Sequence, residues 1–323
     1  MHMLITGGAG FIGSHLAEAL LAAGHTVTAV DNLTTGRYEN IAALTANPKF
    51  QFVYEAVTNE TVMDRLVSTC DVIFHLAAAV GVELIVKDPV WTLETNIQGT
   101  EAVLRLARRY RRKVLLASTS EVYGKSTALP FREDADRVMG PTTRSRWSYA
   151  ESKAIDEFLA LAYYKQFELP VVLCRFFNTV GPRQTGAYGM VVPRLAGQAL
   201  AGQPLTVYGD GQQTRCFCNV HDTVRAVITL AAEPKAVGEI FNVGSQEEIT
   251  IAALAERVKA RAGSASPIRY IPYEQAYEKG FEDMLRRVPS LDKIQAAIGW
   301  QPEIRLDQTL DEVIASLRAR AGS

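Results

Sequence analysis

The chain has 323 residues, 48% of them apolar, and a formal net charge of −1. That is enough apolar material for one large or two coupled domains. A charge this close to zero argues against nucleic acid or an anionic membrane as a partner. Four cysteines, Cys70, Cys174, Cys216 and Cys218, form no C-x-x-C pair, which argues against a metal ribbon or a disulfide framework. No metal is therefore expected. The composition suits a reducing cytosol, and the sequence carries no signal-peptide pattern and no membrane-length apolar run. A cytoplasmic location is expected.

In chain order, short β-rich runs predict strands at 3–6, 26–30, 50–54, 72–76, 114–118 and 171–176. Between them, helical patterns occupy 14–23, 62–69, 93–110 and 147–164, and Gly24 stands where a glycine ends a helix. The basic run from Arg108 to Lys113 is expected to close a helix, where cations suit the negative end of the dipole, rather than to bind a polyanion. Apolar strands alternating with helices predict an α/β, Rossmann-type, doubly wound parallel sheet covered on both faces. After about Gly181 proline and glycine become frequent and helices fewer. Helices are expected at 193–201, 251–262 and 310–319, and strands at 205–208 and 239–243. Residues 1–180 are thus expected to form the larger, first domain and 181–323 a smaller second domain, with the chain crossing back to the first at about 219–246.

Gly7, Gly10 and Gly13 follow the first strand and open the first helix, with Phe11 and Ile12 between the last two. Such a loop turns tightly, lets a pyrophosphate approach the backbone, and offers it the free N–H groups of a helix start. Asp31, next to Asn32, ends the second strand, where a carboxylate accepts from the ribose hydroxyls and repels a 2′-phosphate. NAD is therefore expected as cofactor; Arg37 is the one nearby cation that would suit a 2′-phosphate.

A second constellation is Ser118-Thr119-Ser120-Glu121-Val122-Tyr123-Gly124, closing an apolar run, followed by Tyr149 and Lys153. Ligands bind at the carboxyl ends of parallel strands, which is where residues 119–121 emerge. Tyr149 and Lys153 are four apart and share one helix face. An ammonium beside a phenol lowers its pKa, so Tyr149 is expected to be the base that deprotonates an alcohol held by Thr119.

With these motifs the chain resembles, over essentially its whole length, the extended short-chain dehydrogenase/reductases that act on nucleotide sugars. Further matching strings are His75-Leu76-Ala77-Ala78, Arg175-Phe176-Phe177-Asn178, Gly181-Pro182-Arg183 and Gly299-Trp300-Gln301-Pro302. Ala56 departs from the family, many of whose members carry an Asp near the adenine. The resemblance implies oxidation at the sugar C4 and adds Leu76, Ala77 and Ala78 to the cofactor site. It also implies a UDP-sugar substrate and a homodimer formed through helices 93–110 and 147–164. Members differ in what becomes of the 4-keto intermediate. Decarboxylases typically carry Ser-Thr-Ser-Glu-Val-Tyr-Gly, as here; dehydratases typically carry Asp-Glu at 120–121; many epimerases carry small uncharged residues there.

The resemblance assigns Ser120 and Glu121 to orientation and proton management and places Arg287 near the sugar, although Arg287 would equally suit the diphosphate alone. Arg146 is either a contact to the substrate carboxylate or a surface charge. For the nucleotide diphosphate, Asn178 is expected to face the cleft, the run 205–209 with Val207 and Tyr208 to present backbone groups and an aromatic ring to a uracil base, and Arg215 to bind the diphosphate. The preferred reading is a UDP-glucuronate decarboxylase. The alternative is a UDP-sugar 4-epimerase acting on UDP-glucose or UDP-glucuronate. A non-catalytic NAD sensor is disfavoured, because such proteins commonly lose the Tyr or Lys.

Overall fold

In the computed structural model, the residues described are 1–80, 88–186, 190–276 and 284–321. Seven strands form one parallel sheet: β1 (His2–Thr6), β2 (Thr26–Asp31), β3 (Phe50–Tyr54), β4 (Val72–His75), β5 (Lys113–Thr119), β6 (Val171–Phe176) and β11 (Glu239–Val243). Their spatial order is β11-β6-β5-β4-β1-β2-β3. All four residues of β4 are buried, as are four of the five in β1. Strands covered on both faces have no polar face to offer, so they read as continuous apolar runs. The order reverses between β1 and β4, where Thr6 pairs with His75. A crevice opens at the carboxyl ends of the strands at such a reversal.

Among the described residues of this half, four α-helices accompany the sheet: α1 (Phe11–Ala22), α2 (Glu60–Thr69), α3 (Pro89–Tyr110) and α4 (Ser148–Phe167). The Asn59 side chain caps α2, accepting from the Val62 N–H. Asp88 caps α3 by accepting from Trp91, with Pro89 in the first turn. Arg108 and Arg109 lie in the last turn of α3, as expected of the basic run, and Arg111 ends the helix in a left-handed conformation.

Beyond β7 (Thr179–Val180) come α5 (Val191–Leu200), β8 (Leu205–Tyr208), β9 (Thr214–Cys216), β10 (Cys218–Asn219) and α6 (Val220–Ala232). After β11 follow β12 (Glu248–Thr250), α7 (Ile251–Ala262), β13 (Ile268–Ile271), α8 (Tyr273–Ala276), α9 (Asp292–Ile298) and α10 (Leu306–Ala321). This half holds more helix than the sequence pattern predicts, because α6 and α9 escape it. α6 packs on α1 and its Val220, Val224, Val227 and Leu230 join the core beneath the large sheet. A second core gathers Val192, Leu195, Leu205, Val207, Leu254, Val258 and Leu310. The four cysteines are buried free thiols.

Candidate active site

One cleft of about 490 Å³ runs from the glycine loop, past the ends of β4 and β5, to the second half of the chain. That size suits a small-molecule site. Gly7, Gly10, Phe11, Ile12, Gly13, Asp31, Asn32, Leu76, Ala77 and Ala78 line one end. Thr119, Ser120, Glu121, Arg146, Tyr149, Lys153 and Arg287 line the middle, and Asn178, Tyr208 and Arg215 the far end.

The dinucleotide end is shaped by backbone. The Gly7 N–H donates to the Val30 carbonyl at 2.9 Å, closing the loop over β2. Gly7 has a φ of +71°, the left-handed region that favours glycine. A Cβ on Gly13 would lie 2.2 Å from the Gly7 carbonyl, so only glycine lets helix and loop approach this closely. No side chain caps the start of α1, which leaves its N–H groups for an anion. Asp31 is buried and accepts from the Ala9 N–H at 3.0 Å and the Leu33 N–H at 2.8 Å. Burial pushes its carboxyl up while these N–H groups pull it back. Uncapped helix, glycine cradle and fixed carboxylate together fit a dinucleotide.

β5 delivers Thr119 to the cleft, where its hydroxyl accepts from the Glu121 N–H at 3.2 Å and starts the single turn Ser120–Tyr123. α4 presents Tyr149 and Lys153, both buried. The expected depression of the phenol pKa is not what the chain's own groups produce. Burial pushes Tyr149 up, and the carboxylates of Glu121 and Asp156 push further in the same direction. Lys153 is itself not a lone cation: its Nζ donates to Asp156 Oδ2 at 2.7 Å, with both side chains almost fully buried.

Glu121 lies between two arginines. Arg146 Nη1 stands 2.5 Å from Glu121 Oε2, and Arg287 Nη2 stands 2.8 Å from Oε1. Arg287 Nη1 also donates to Ser120 Oγ at 3.4 Å. Burial alone would raise the Glu121 pKa; the two guanidinia outweigh it and hold the carboxyl well below the usual range. Arg146 is 4% exposed, so it is a residue of the site and not a surface charge. Arg215 is buried nearby and donates to the Met284 carbonyl at 2.8 Å. Asn178, at a φ of +35°, donates to the Cys216 carbonyl at 2.9 Å and holds the chain just past β6.

Val207 is fully buried in the second core and does not line the cleft. Alternation along β8 turns Leu205 and Val207 inward, while Thr206 and Tyr208 stay partly exposed. Residues outside the expected set also line the cleft, among them Gln213 and Arg194, whose guanidinium lies 4.3 Å from the centre of the Tyr208 ring. Asp156 is a further omission. Its three-residue spacing from Lys153 was the available signal.

Residues 4–313 match the model of the GDP-mannose 4,6 dehydratase family. The chain belongs to this family. It is an enzyme of the extended short-chain dehydrogenase/reductase type. It is 44% identical to the UDP-N-acetyl-alpha-D-glucosaminuronate decarboxylase of Bacillus cytotoxicus, over 98% of this chain and 97% of that protein. It is 38% identical to UDP-glucuronic acid decarboxylase 1 of Danio rerio, over 97% of this chain and 71% of that one. Among solved structures, the UDP-glucuronic acid 4-epimerase of Bacillus cereus, in complex with UDP-glucuronic acid and NAD, superposes with a TM-score of 0.89. That pair is 29% identical and covers 99% of this chain and 100% of the other.

Proposed function

We propose that this enzyme is an NAD-dependent decarboxylase of a UDP-linked hexuronate, oxidising the sugar at C4 before CO₂ leaves from C6. The observation that carries the reading is the buried Glu121 held between Arg146 and Arg287, in the same cleft as Thr119, Tyr149 and Lys153. Three arginines, Arg146, Arg215 and Arg287, face one glutamate there, an excess of positive charge suited to a diphosphate and a carboxylate. Residues 1–180, with the returning 219–246, carry the cofactor, and the remainder of 181–323 carries the nucleotide sugar.

NAD, when bound, accepts the hydride from C4 and returns it. Tyr149 takes the C4 hydroxyl proton and gives it back to that oxygen when C4 is reduced again, and Thr119 orients the oxygen. Once C4 is a ketone, the carboxylate on C5 is β to it. Breaking C5–C6 releases CO₂ and leaves the electron pair in an enolate over C5, C4 and the C4 oxygen. The substrate carboxylate competes with Glu121 for the guanidinium of Arg146. As it takes that cation, less charge holds Glu121 ionised, and its pKa rises toward the carboxylate range. Glu121 then takes a proton from water and passes it to C5, with Ser120 and Arg287 setting its position.

Two relatives support different 2-substituents, since one is named for an N-acetylated uronate and the other for glucuronic acid. The C6 carboxylate is common to both. A homodimer is part of the proposal: Val90, Ile155, Phe158 and Tyr164 leave apolar surface exposed on α3 and α4. Among the described residues no helix is long and apolar enough to cross a membrane. The free thiols support a reducing compartment such as the cytoplasm.

The second reading is a 4-epimerase, favoured by the likeness to the Bacillus cereus enzyme. Incubation with UDP-glucuronate and with UDP-N-acetylglucosaminuronate separates the two. The proposal expects CO₂ and a UDP-pentose, followed by NMR, from at least one of them. A C4 epimer that keeps its carboxylate, without CO₂, would establish the epimerase.

A further inference from the structure

Lys153 and Asp156 are 2% and 0% exposed, and their charges meet at 2.7 Å on one face of α4. The pair ends a buried polar chain. His75, at the end of β4, shares a 2.8 Å hydrogen bond with the Thr6 hydroxyl through Nδ1 and a 3.1 Å bond with the Thr100 hydroxyl of α3 through Nε2. The Thr100 hydroxyl in turn favours the charged form of Asp156. At the other end Thr6 Oγ1 accepts from the Ala77 N–H at 3.2 Å, on the wall of the cofactor groove. The chain thus joins the amine of α4 to the strand ends on which the dinucleotide site is built.

Resting on the reading of Tyr149 as the base, we propose that Asp156 is a positioning residue: it fixes the Lys153 ammonium and offsets that cation's charge at the Tyr149 phenol. An ammonium has three donors, and Asp156 takes one, which sets the direction of Nζ. A carboxylate this near also cancels much of the field that a buried lysine would otherwise exert on the phenol. The groups that act on Tyr149 are Thr119 at the end of β5, Glu121 in the turn that follows, Arg146 from the turn before α4, and Asp156 from α4 itself, with Lys153 of α4 lining the same cleft. Those around Asp156 are Lys153 and Glu157 on its own helix and Thr100 on α3. His75, held neutral by burial and by Lys153, adds no charge near neutral pH. Of these, Glu121 and Asp156 are the carboxylates that act against ionisation of the phenol.

The test uses the NAD-loaded protein and an isosteric change. Asp156→Asn removes the carboxylate, so the phenol ionises more readily. The acidic limb of the pH profile of kcat/KM should then move down by about one pH unit. Asp156→Glu, which keeps the charge, should return the limb to its original place while lowering kcat. Should Asp156→Asn fail to fold, Thr100→Val serves, since loss of its hydroxyl favours the neutral form of Asp156 and moves the limb the same way. A residue that merely supported the fold would lower activity at every pH and leave the limb in place, and that result overturns the proposal. NMR of ring-labelled tyrosine, with the Tyr149 signal identified by its loss in Tyr149→Phe, reads the same shift without turnover. An absence of turnover on both uronates with this NMR shift intact counts against the proposed reaction alone. A Tyr149 signal indifferent to Asp156→Asn counts against Asp156.

Discussion

Arg146 is a cation with almost no access to water, and the Glu121 carboxylate makes that placement tolerable. Removing one member of a buried ion pair leaves the other charge uncompensated, typically at a cost of about 3–5 kcal/mol. Arg146→Ala should therefore lower stability by roughly that amount in denaturant unfolding and raise KM for a uronate. A loss below about 1 kcal/mol would mean that Glu121 is fully served by Arg287. Tyr149→Phe keeps the ring and removes the proton acceptor, so turnover should fall by about 10²–10⁴-fold with little change in melting temperature. Thr119, Tyr149 and Lys153 were legible because a strand end and a four-residue helical spacing carry them to one place. Asp156 was not, because an acid three residues from a lysine is ordinarily a solvated helix pair. Only the packing of α3 and β5 against α4 buries this one. The inward face of β8 was not legible for a related reason: a strand of four residues does not announce which of its faces meets the core.

At the scale of elements, the join between β1 and α1 tolerates no added carbon. Gly13→Ala would drive a methyl into the Gly7 carbonyl, and NAD affinity measured by calorimetry should fall at least about tenfold, equivalent to about 1.4 kcal/mol. Unchanged affinity would show that the loop can open without cost. The exposed face of α3 and α4 is tested by Phe158→Asp, which puts a charge on an apolar side chain 67% exposed in the monomer. Sedimentation should find dimers of the wild type and monomers of the variant. Most elements of the first half matched their sequence signals, since alternating strand and helix periods are local. α6 was missed because Val220, Val224, Val227 and Ile228 are β-branched and favour strands in isolation. The Asn219 cap and packing against α1 override that preference.

For the whole molecule, the sheet order was only partly legible. Four parallel crossovers follow from strand–helix alternation, but the pairing of β11 with β6 joins residues 239–243 to 172–176 and depends on contacts far apart in sequence. The fold also buries two histidines in neutral form: His75, lowered to about 3, and His15, lowered to about 4, each chiefly by burial. The unfolded chain protonates both below about pH 6.5. The unfolded state then binds more protons, so stability falls as pH drops from about 6.5 toward 4. With two groups the slope reaches at most about 2.7 kcal/mol per pH unit. Unfolding midpoints in urea across this range check it, and a midpoint insensitive to pH would contradict the neutral burial of both rings.

The central claim is that the cleft divides its chemistry between a Tyr149 relay that opens the reaction and a Glu121 clamp that decides the outcome. The most direct measurement is a single turnover of Glu121→Gln with a UDP-hexuronate, following bound NADH and CO₂ together. Formation of NADH should stay within about threefold of wild type while CO₂ release slows by about 10²-fold or more, the usual range for loss of a positioned proton-transfer group. Equal slowing of both signals would show that Glu121 only positions the substrate, and would contradict the division.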